Sequence, residues 1–301
     1  MTLLTLFTAP KPMTNPHIAV IQRNAIQSWM ALGPEVEVLV IGDEAGLAEI
    51  CAELGVKHLS EVARNASGTP LVSSIFDLAR QHAQGKFLAY LNADILFLPH
   101  ALTALRQVAE QAHDFLIVGQ RWDLDVPHPL TFSPGWDMRL LQRAHSQGKL
   151  HPRGGSDYFI YPRHCFQQVP DFAIGRAGWD NWMFYEARRR GWSLVDGSHD
   201  IQIIHQNHDY SHLPQSKPHY RLPESAENVR LAGGRRTIFA LLDCDKQLVN
   251  GQLRPASFSW AKLWREIEIF PLVRLRCMAL GQLTFALFHP KKAWIEFRRK
   301  K

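Results

Sequence analysis

The sequence predicts an α/β fold in which a sheet is flanked by helices. Over about the first 120 residues, short apolar runs typical of strands alternate with segments of helical spacing, as they do in an α/β domain. The chain of 301 residues is 46% hydrophobic and 21% charged, which is the composition of an ordinary globular protein with a substantial core.

A first strand is expected over residues 3–7. A helix is expected over 18–32, because apolar residues recur there at helical spacing and Gly33 with Pro34 ends the pattern. Residues 35–41 alternate and then become continuously apolar, as a buried parallel strand does. The remaining elements of this half are expected as a helix over 45–54, a strand over 56–59, a helix over 69–82 and a strand over 86–91.

An apolar run over residues 89–99 is interrupted by Asn92 and Asp94, where the fourth predicted strand ends. Side chains two residues apart on an extended segment point the same way, and oxygen ligands of this kind suit Mg²⁺ or Mn²⁺ bound with substrate phosphates. The alternative is an Asn- and Asp-capped strand end before a turn. Because open α/β sheets bind ligands at the carboxyl ends of their strands, residues 7–10 and Asp43 are expected in the same crevice.

Two patches beyond residue 120 combine glycine, tryptophan and acidic residues. Gly154 and Gly155 precede a predicted strand over 158–161, and they either let the backbone approach a bound ring or phosphate or form a tight turn. Asp180 falls in the first turn of a predicted helix, where it is either a helix cap or a general base flanked by tryptophans. Trp179 is a candidate for stacking on a sugar ring.

A last polar patch follows the predicted strand that ends near His205. Histidine is a common metal ligand when it is neutral, so His205 and His208 are candidate ligands. Their spacing with His212 also suggests zinc, but no cysteine ligands accompany them and the spacing is not specific.

Taken in this order, the motifs resemble the GT-A fold of nucleotide-sugar glycosyltransferases, over about residues 1–245. The resemblance implies a Rossmann-like mixed sheet, a divalent metal (Mn²⁺ or Mg²⁺) and a nucleoside diphosphate sugar. It implies a metal site of Asp94 with Asn92 and with His205 or His208, and a catalytic base at Asp180. The donor and acceptor would be surrounded by Gly154, Gly155, Ser156, Asp157, Trp179 and Asn181, and the nucleotide by Thr8, Ala9, Pro10, Asp43, Asn92 and Asp94.

The implied activity is metal-dependent, inverting transfer of a hexosyl group to a hydroxyl of a glycan or a lipid-linked acceptor. The expected domains are a transferase unit over 1–250, with a nucleotide-binding half to about residue 120, and a helical tail over 255–301. A nucleotidyltransferase is disfavoured, because the prolines after the first strand cannot donate a row of N–H groups to phosphates. The alternative is a catalytically inactive carbohydrate-binding or membrane-docked scaffold, since Asn92 is a poorer metal ligand than a carboxylate.

The positive charge of the chain is concentrated in that tail. Residues 255–301 carry ten Lys and Arg against three Glu, whereas residues 1–254 carry 24 Lys and Arg against 25 Asp and Glu. A nucleic-acid partner is therefore not expected, because the folded body lacks a basic footprint. Trp and Phe interleaved with the basic residues predict peripheral contact with an anionic membrane; the alternative is helices packed on the main domain.

Four scattered cysteines without a Cys-x-x-Cys pair indicate a reducing compartment. The N-terminal segment has no basic start, and Pro10 and Pro12 interrupt its apolar run, so it does not resemble a signal peptide. These features predict a cytoplasmic protein, with any membrane contact on the inner face.

Overall fold

The fold is described from a computed structural model over residues 2–208 and 222–298. The strands are β1 (Leu4–Thr8), β2 (Val36–Ile41), β3 (Lys57–Leu59), β4 (Phe87–Leu91), β5 (Ile95–Leu96), β6 (Phe115–Val118), β7 (Arg121–Leu124), β8 (Lys149–Leu150), β9 (Tyr158–Pro162), β10 (Ser193–Asp196), β11 (Ile203–Gln206), β12 (Lys246–Val249) and β13 (Gln252–Pro255). The helices are α1 (Pro16–Met30), α2 (Leu47–Leu54), α3 (Val72–His82), α4 (His100–Gln111), α5 (Trp136–Gln147), α6 (Trp179–Arg190), α7 (Pro223–Leu231), α8 (Trp260–Val273), α9 (Met278–Phe288) and α10 (Pro290–Arg298).

Within the described residues, nine strands form one mixed sheet in the order β13-β12-β10-β6-β9-β4-β1-β2-β3. Most neighbours are parallel, but β9 is antiparallel to both β4 and β6, and β13 is antiparallel to β12. A smaller sheet has the order β5-β11-β7-β8. The predicted fold class, a mixed α/β sheet flanked by helices with a helical C-terminal segment, is confirmed.

Two helices start at residues that the apolar periodicity of the sequence did not predict. One start is set by a side-chain cap and the other by a bridge to a distant segment. Helix α1 begins at Pro16, two residues earlier than predicted, because the Asn15 side chain accepts hydrogen bonds from two N–H groups of its first turn. Helix α3 begins at Val72 rather than at residue 69, because Leu71 is extended and forms a bridge with Ala173.

The two faces of the large sheet bury separate apolar layers. Phe76 of α3 is at the centre of one layer, where its ring lies 5.1 Å from that of Phe7 and 5.9 Å from those of Tyr90 and Tyr161. Helix α8 adds Ile269, Leu272 and Val273 to the same layer. The first helix of the C-terminal segment is therefore part of the folded body.

The outer surface of the C-terminal segment carries many exposed apolar side chains. They are Trp260, Leu263, Trp264, Ile267 and Phe270 of α8, Leu280, Leu283 and Leu287 of α9, and Trp294, Ile295 and Phe297 of α10, together with Phe258 and Leu275. None of the helices described in the chain combines the length and the hydropathy that a membrane span requires.

Candidate functional site

A cleft of about 820 Å³ opens where β1, β2 and β4 end at their carboxyl edge. The sequence-predicted residues that line the cleft are Ala9, Pro10, Asp43, Asn92, Asp94, Gly155, Ser156, Asp157, Trp179, Asp180, Asn181, His205 and His208. Thr8 does not line it, because its side chain is fully buried in β1, and Gly154 lies outside it in an exposed loop. Residues from both halves of the chain thus meet at one edge of the sheet.

Asp94, His205 and His208 form a cluster that could hold a metal ion, with one candidate ligand atom from each lying within 4.8 Å of the others. Asp94 Oδ2 is 3.1 Å from His208 Nε2 and 3.7 Å from His205 Nε2. The register of the smaller sheet produces this proximity, because His205 of β11 pairs with Ile95 of β5, the residue after Asp94.

The Asp94 carboxylate is held in its charged form although most of its side chain is buried, with 17% exposed. Burial raises its pKa, but the charge of His205, the contacts with both histidines and the charge of Lys11 outweigh burial and hold the pKa well below its usual value. Its second oxygen, Oδ1, is buried and has no hydrogen-bond partner among the described residues. A buried carboxylate oxygen without a partner is a feature that a bound cation would explain.

His205 is held from its other side by a carboxylate of the neighbouring strand. Its Nδ1 lies 3.2 Å from Asp123 Oδ1, close enough for an ion pair although the angle is not that of a hydrogen bond, and the two residues are register partners on β11 and β7. Burial lowers the pKa of His205, but Asp94 and Asp123 outweigh this and raise it to about 9. Asp123 also accepts hydrogen bonds from Arg121 Nε at 2.8 Å and contacts His151 Nδ1 at 2.7 Å.

Asn92 is joined to the loop that precedes β9. Its side-chain nitrogen donates to Asp157 Oδ1 at 2.7 Å, and its backbone N–H donates to the Asp157 carbonyl at 3.0 Å. Arg121 Nη1 donates to the other oxygen of the same carboxylate at 2.8 Å. Asp157 therefore connects Asn92 at the end of β4 with Arg121 of the smaller sheet.

Asp180 occupies the first turn of α6, which starts after Gly178 at a φ of 108°. Burial raises the pKa of the Asp180 carboxyl, with nearby backbone N–H groups acting in the opposite direction. The loop before β9 passes close to it, since a Cβ added at Gly155 would lie 3.3 Å from Asp180 Oδ2. A partly desolvated carboxylate facing a cleft is suited to accept a proton.

The neighbours of Asp180 are anchored in the protein. The Trp179 side chain is only 5% exposed, and its ring packs 5.1 Å from that of Tyr90 and 5.4 Å from that of Phe159. Asn181 Nδ2 donates to the Phe239 carbonyl at 2.6 Å. These contacts fix the start of α6 and hence the position of the Asp180 carboxylate.

The loop after β1 is held in place by Gln22 of α1. Gln22 Oε1 accepts from the Lys11 N–H at 2.7 Å, and Gln22 Nε2 donates to the Lys11 carbonyl at 2.9 Å. Burial lowers the pKa of the Lys11 ammonium, whereas nearby Asp94 acts in the opposite direction. On the far rim, Asp43 is 59% exposed and forms an ion pair with Arg64.

Among the residues that line or support the cleft, the sequence did not identify Lys11, Arg121, Asp123 and His151. A signal for two of them was present, because Arg121 and Asp123 are two residues apart on a short strand, the spacing that marked Asn92 and Asp94. Lys11 directly follows the predicted nucleotide-binding loop. His212, the third histidine of the zinc alternative, lies outside the described residues.

A second cluster with two histidines and one carboxylate lies apart from the cleft. Asp114 Oδ1 is 2.6 Å from His113 Nδ1 and 2.7 Å from His164 Nε2. Asp114 directly precedes β6, and His164 follows the antiparallel strand β9. The cluster therefore lies at the opposite edge of the sheet from the cleft.

Comparison with solved structures finds S. aureus TarS. The crystal structure of its residues 1–349 has a TM-score of 0.42 and 11% sequence identity, over 69% of this chain and 59% of that one. The same fragment in complex with UDP has a TM-score of 0.32 and 14% identity, over 43% of this chain and 38% of that one. The chain thus spans less than two thirds of the structures that it matches. No family model and no curated protein matches the chain.

Proposed function

We propose that this chain is a metal-dependent GT-A-type glycosyltransferase, which moves a hexosyl group from a nucleoside diphosphate sugar to a hydroxyl acceptor. One observation carries the proposal: the cluster of Asp94, His205 and His208 lines the same cleft as the partly buried carboxylate of Asp180. A cation site and a general base in one cleft are the two parts that such a transfer needs.

The residues present fit a divalent cation. Asp94, His205 and His208 would hold it, with the partnerless Oδ1 of Asp94 as a further ligand atom. Two imidazoles in the donor set favour Mn²⁺ over Mg²⁺, which prefers oxygen ligands. Such a cation would supply neutralisation of the charge that develops on the leaving diphosphate. Asn92 is a candidate fourth ligand through its side-chain oxygen, since its nitrogen is directed to Asp157.

Lys11 would assist on the same side of the cleft. Its ammonium is close enough to Asp94 for their charges to affect each other, and Lys11 is anchored through its backbone by Gln22. A lysine at this position supplies a point charge for a phosphate oxygen. The nucleotide would lie along Ala9 and Pro10, with Asp43 at the rim accepting from a ribose or base.

Asp180 would act as the base. As the acceptor oxygen forms its bond to the anomeric carbon, the Asp180 carboxylate accepts the hydroxyl proton, and the bond between that carbon and the phosphate oxygen breaks with its electron pair leaving on the diphosphate. Attack from the face opposite the leaving group inverts the anomeric centre. Gly155, Ser156 and Asp157 would border the sugar beside Asp180, with Gly154 in the adjoining loop; Trp179 and Asn181 would position the base.

The C-terminal segment would place the enzyme against an anionic membrane surface, on its cytoplasmic face. Trp264 of α8, Leu287 of α9 and Trp294 of α10 are exposed, and α10 also carries exposed Lys291 and Lys292. Apolar side chains flanked by basic ones suit the interface of an anionic leaflet, where each Lys or Arg contributes about 1 kcal/mol. We assign residues 1–250 to transfer and the helices beyond residue 255 to this contact.

Calorimetric titration with UDP- and GDP-sugars, with and without Mn²⁺, tests the proposed function. We expect one nucleotide sugar to bind in the presence of Mn²⁺ and binding to weaken at least about tenfold without it or in Asp94→Asn. Asp114→Asn is the matched control, because it removes a carboxylate from the other histidine cluster. Glycan binding without any nucleotide binding would contradict the transferase and favour a scaffold.

A further inference from the structure

A second cavity of about 700 Å³ adjoins the cleft at the start of α6, where Ala177 and Asn181 line both cavities. Its remaining wall is formed by α7, by the short helical turn Arg235–Thr237 and by the three C-terminal helices. The cavity therefore lies between the carboxylate proposed as the base and the segment proposed to contact a membrane.

The charge of the cavity wall suits an anion. Arg235, Arg236 and Lys292 line the cavity, and the Glu296 carboxylate is shared by Arg236 and, at 3.8 Å, by Arg235. Arg265 is already neutralised, since it pairs with Asp243 at 2.7 Å and with Glu268 at 3.2 Å. The residues that line the cavity thus include four cations, Arg235, Arg236, Arg265 and Lys292, against the two carboxylates of Glu268 and Glu296.

Arg236 has an unused donor at this wall. The residue is only 8% exposed, and its Nε is buried without a hydrogen-bond partner among the described residues. The guanidinium carbon lies 3.2 Å from the centroid of the Phe285 ring, which holds the group in place. A fixed guanidinium with a spare N–H is suited to a phosphate oxygen.

The same cavity has apolar walls next to these cations, formed by Val229, Ile238, Leu272 and Phe285. An anionic group beside an apolar chain is the chemistry of a lipid phosphate, whereas a free phosphorylated glycan would leave these walls without a partner. The helices that carry Leu272 and Phe285 also carry the exposed Trp264 and Leu287 on their outer surface.

We propose that this second cavity binds the phosphate and the first part of the chain of a lipid-linked acceptor, whose hydroxyl then reaches Asp180 past Asn181. The inference rests on the proposed function, because it assigns the acceptor class to the same active site. Arg235, Arg236 and Lys292 bind the phosphate, and the apolar walls bind the lipid chain.

Calorimetry of the full chain with decyl phosphate, below its micelle concentration, tests the cavity directly. We expect decyl phosphate to bind at least about tenfold more tightly than inorganic phosphate, since burial of two methylene groups suffices for that factor. Decyl maltoside, which has the chain without the phosphate, should bind more weakly than decyl phosphate. Equal affinities for decyl and inorganic phosphate would overturn the lipid assignment.

Two variants that alter the lining of the cavity test whether decyl phosphate binds there. The double variant Arg235→Gln/Lys292→Gln should weaken decyl phosphate binding about tenfold. The matched control Arg274→Gln/Lys291→Gln removes the same charge from exposed positions outside the cavity and should stay within about twofold. Ala226→Trp, which fills the cavity from α7, should also abolish binding. Equal weakening in the control, or unchanged binding in both cavity variants, would contradict the proposal.

Titration of the same proteins with UDP and GDP in the presence of Mn²⁺ distinguishes failure of the lipid assignment from failure of the proposed function. Normal nucleotide binding without decyl phosphate binding would overturn this inference and leave the proposed function standing. Absence of nucleotide binding in the unmodified chain would overturn the proposed function, whatever the response to decyl phosphate.

Discussion

Replacing Asp180 by asparagine tests the assignment of the base with little change in shape. The asparagine retains an oxygen that can accept from the Gly178 N–H, which lies 3.3 Å from Asp180 Oδ1, but it cannot take up a proton from an acceptor hydroxyl. A positioned general base contributes about 10²–10⁴ in rate, or about 3–5 kcal/mol of transition-state stabilisation. Asp180→Asn should therefore lower kcat by that factor, while nucleotide affinity with Mn²⁺ stays within about twofold.

The stability of this variant should change by less than about 1 kcal/mol. The lost interaction of a carboxylate with the first turn of α6 is worth about 0.3–1 kcal/mol, and release of a buried charge offsets it. Asp137→Asn is the matched control, because Asp137 lies in the first turn of α5, after a glycine that is also left-handed, and does not line the cleft.

Initial rates of transfer with donor and acceptor measure the change in kcat, and thermal melting measures the change in stability. Full transfer by Asp180→Asn, or an equal loss in Asp137→Asn, would show that Asp180 is not the base. The pH profile adds a second readout. Burial raises the pKa of Asp180 and only its carboxylate is a base, so activity should be lost as pH falls through that raised pKa. Protonation of Asp180 would not unfold the protein, because its pKa is higher in the folded chain than in the unfolded chain. Protonation therefore stabilises the folded state, and the loss of activity reports on the base.

Three further predictions concern the metal support, the core and the membrane surface. Asp123→Asn should weaken Mn²⁺-dependent nucleotide binding about 10–100-fold by calorimetry, because Asp123 orients His205. Phe76→Ala should lower the free energy of unfolding by about 3–5 kcal/mol in denaturant titrations, since its ring is fully buried. Leu287→Ser/Trp294→Ser should reduce sedimentation with anionic vesicles at low salt at least about tenfold, with unchanged melting, because both side chains are more than half exposed.

The order of strands and helices in the first half of the chain could be predicted, because it follows from the local spacing of apolar residues. The continuously apolar run that became β2 required burial on both faces, and β2 lies inside the large sheet. Helix starts were less predictable. The start of α1 depends on the Asn15 cap, and that of α3 on a bridge between Leu71 and Ala173, about a hundred residues apart.

In the candidate site, too, residues marked by a local sequence pattern could be predicted, whereas contacts between distant segments could not. Asn92 and Asp94 were visible as polar breaks in an apolar run. The link between Asp94 and His205 depends on the pairing of β11 with β5 in the smaller sheet, which is a long-range register that no local pattern encodes. Trp179 lines the cleft as predicted for a sugar-binding residue, but the sequence did not indicate that its ring also packs against Tyr90 and Phe159.

The structure of the C-terminal segment was predicted only in part. Its basic and aromatic composition indicated helices with an exposed surface, and α9 and α10 carry exposed Leu287 and Trp294. The alternative, helices packed on the main domain, describes α8, since its Ile269 and Leu272 enter the core of the sheet, although composition alone did not identify which residues do so. For this reason a chain shortened before α8 would lose core contacts, and point variants on the outer surface are the better test.

The most direct test of the metal site is anomalous diffraction from crystals of the full chain grown with Mn²⁺ and UDP. We expect one strong manganese peak bonded to Asp94 Oδ1 or Oδ2 and to at least one imidazole of His205 or His208, with a diphosphate oxygen on the same ion. Manganese found only between His113, Asp114 and His164, or a diphosphate bound in the cleft without any ion at saturating Mn²⁺, would contradict it.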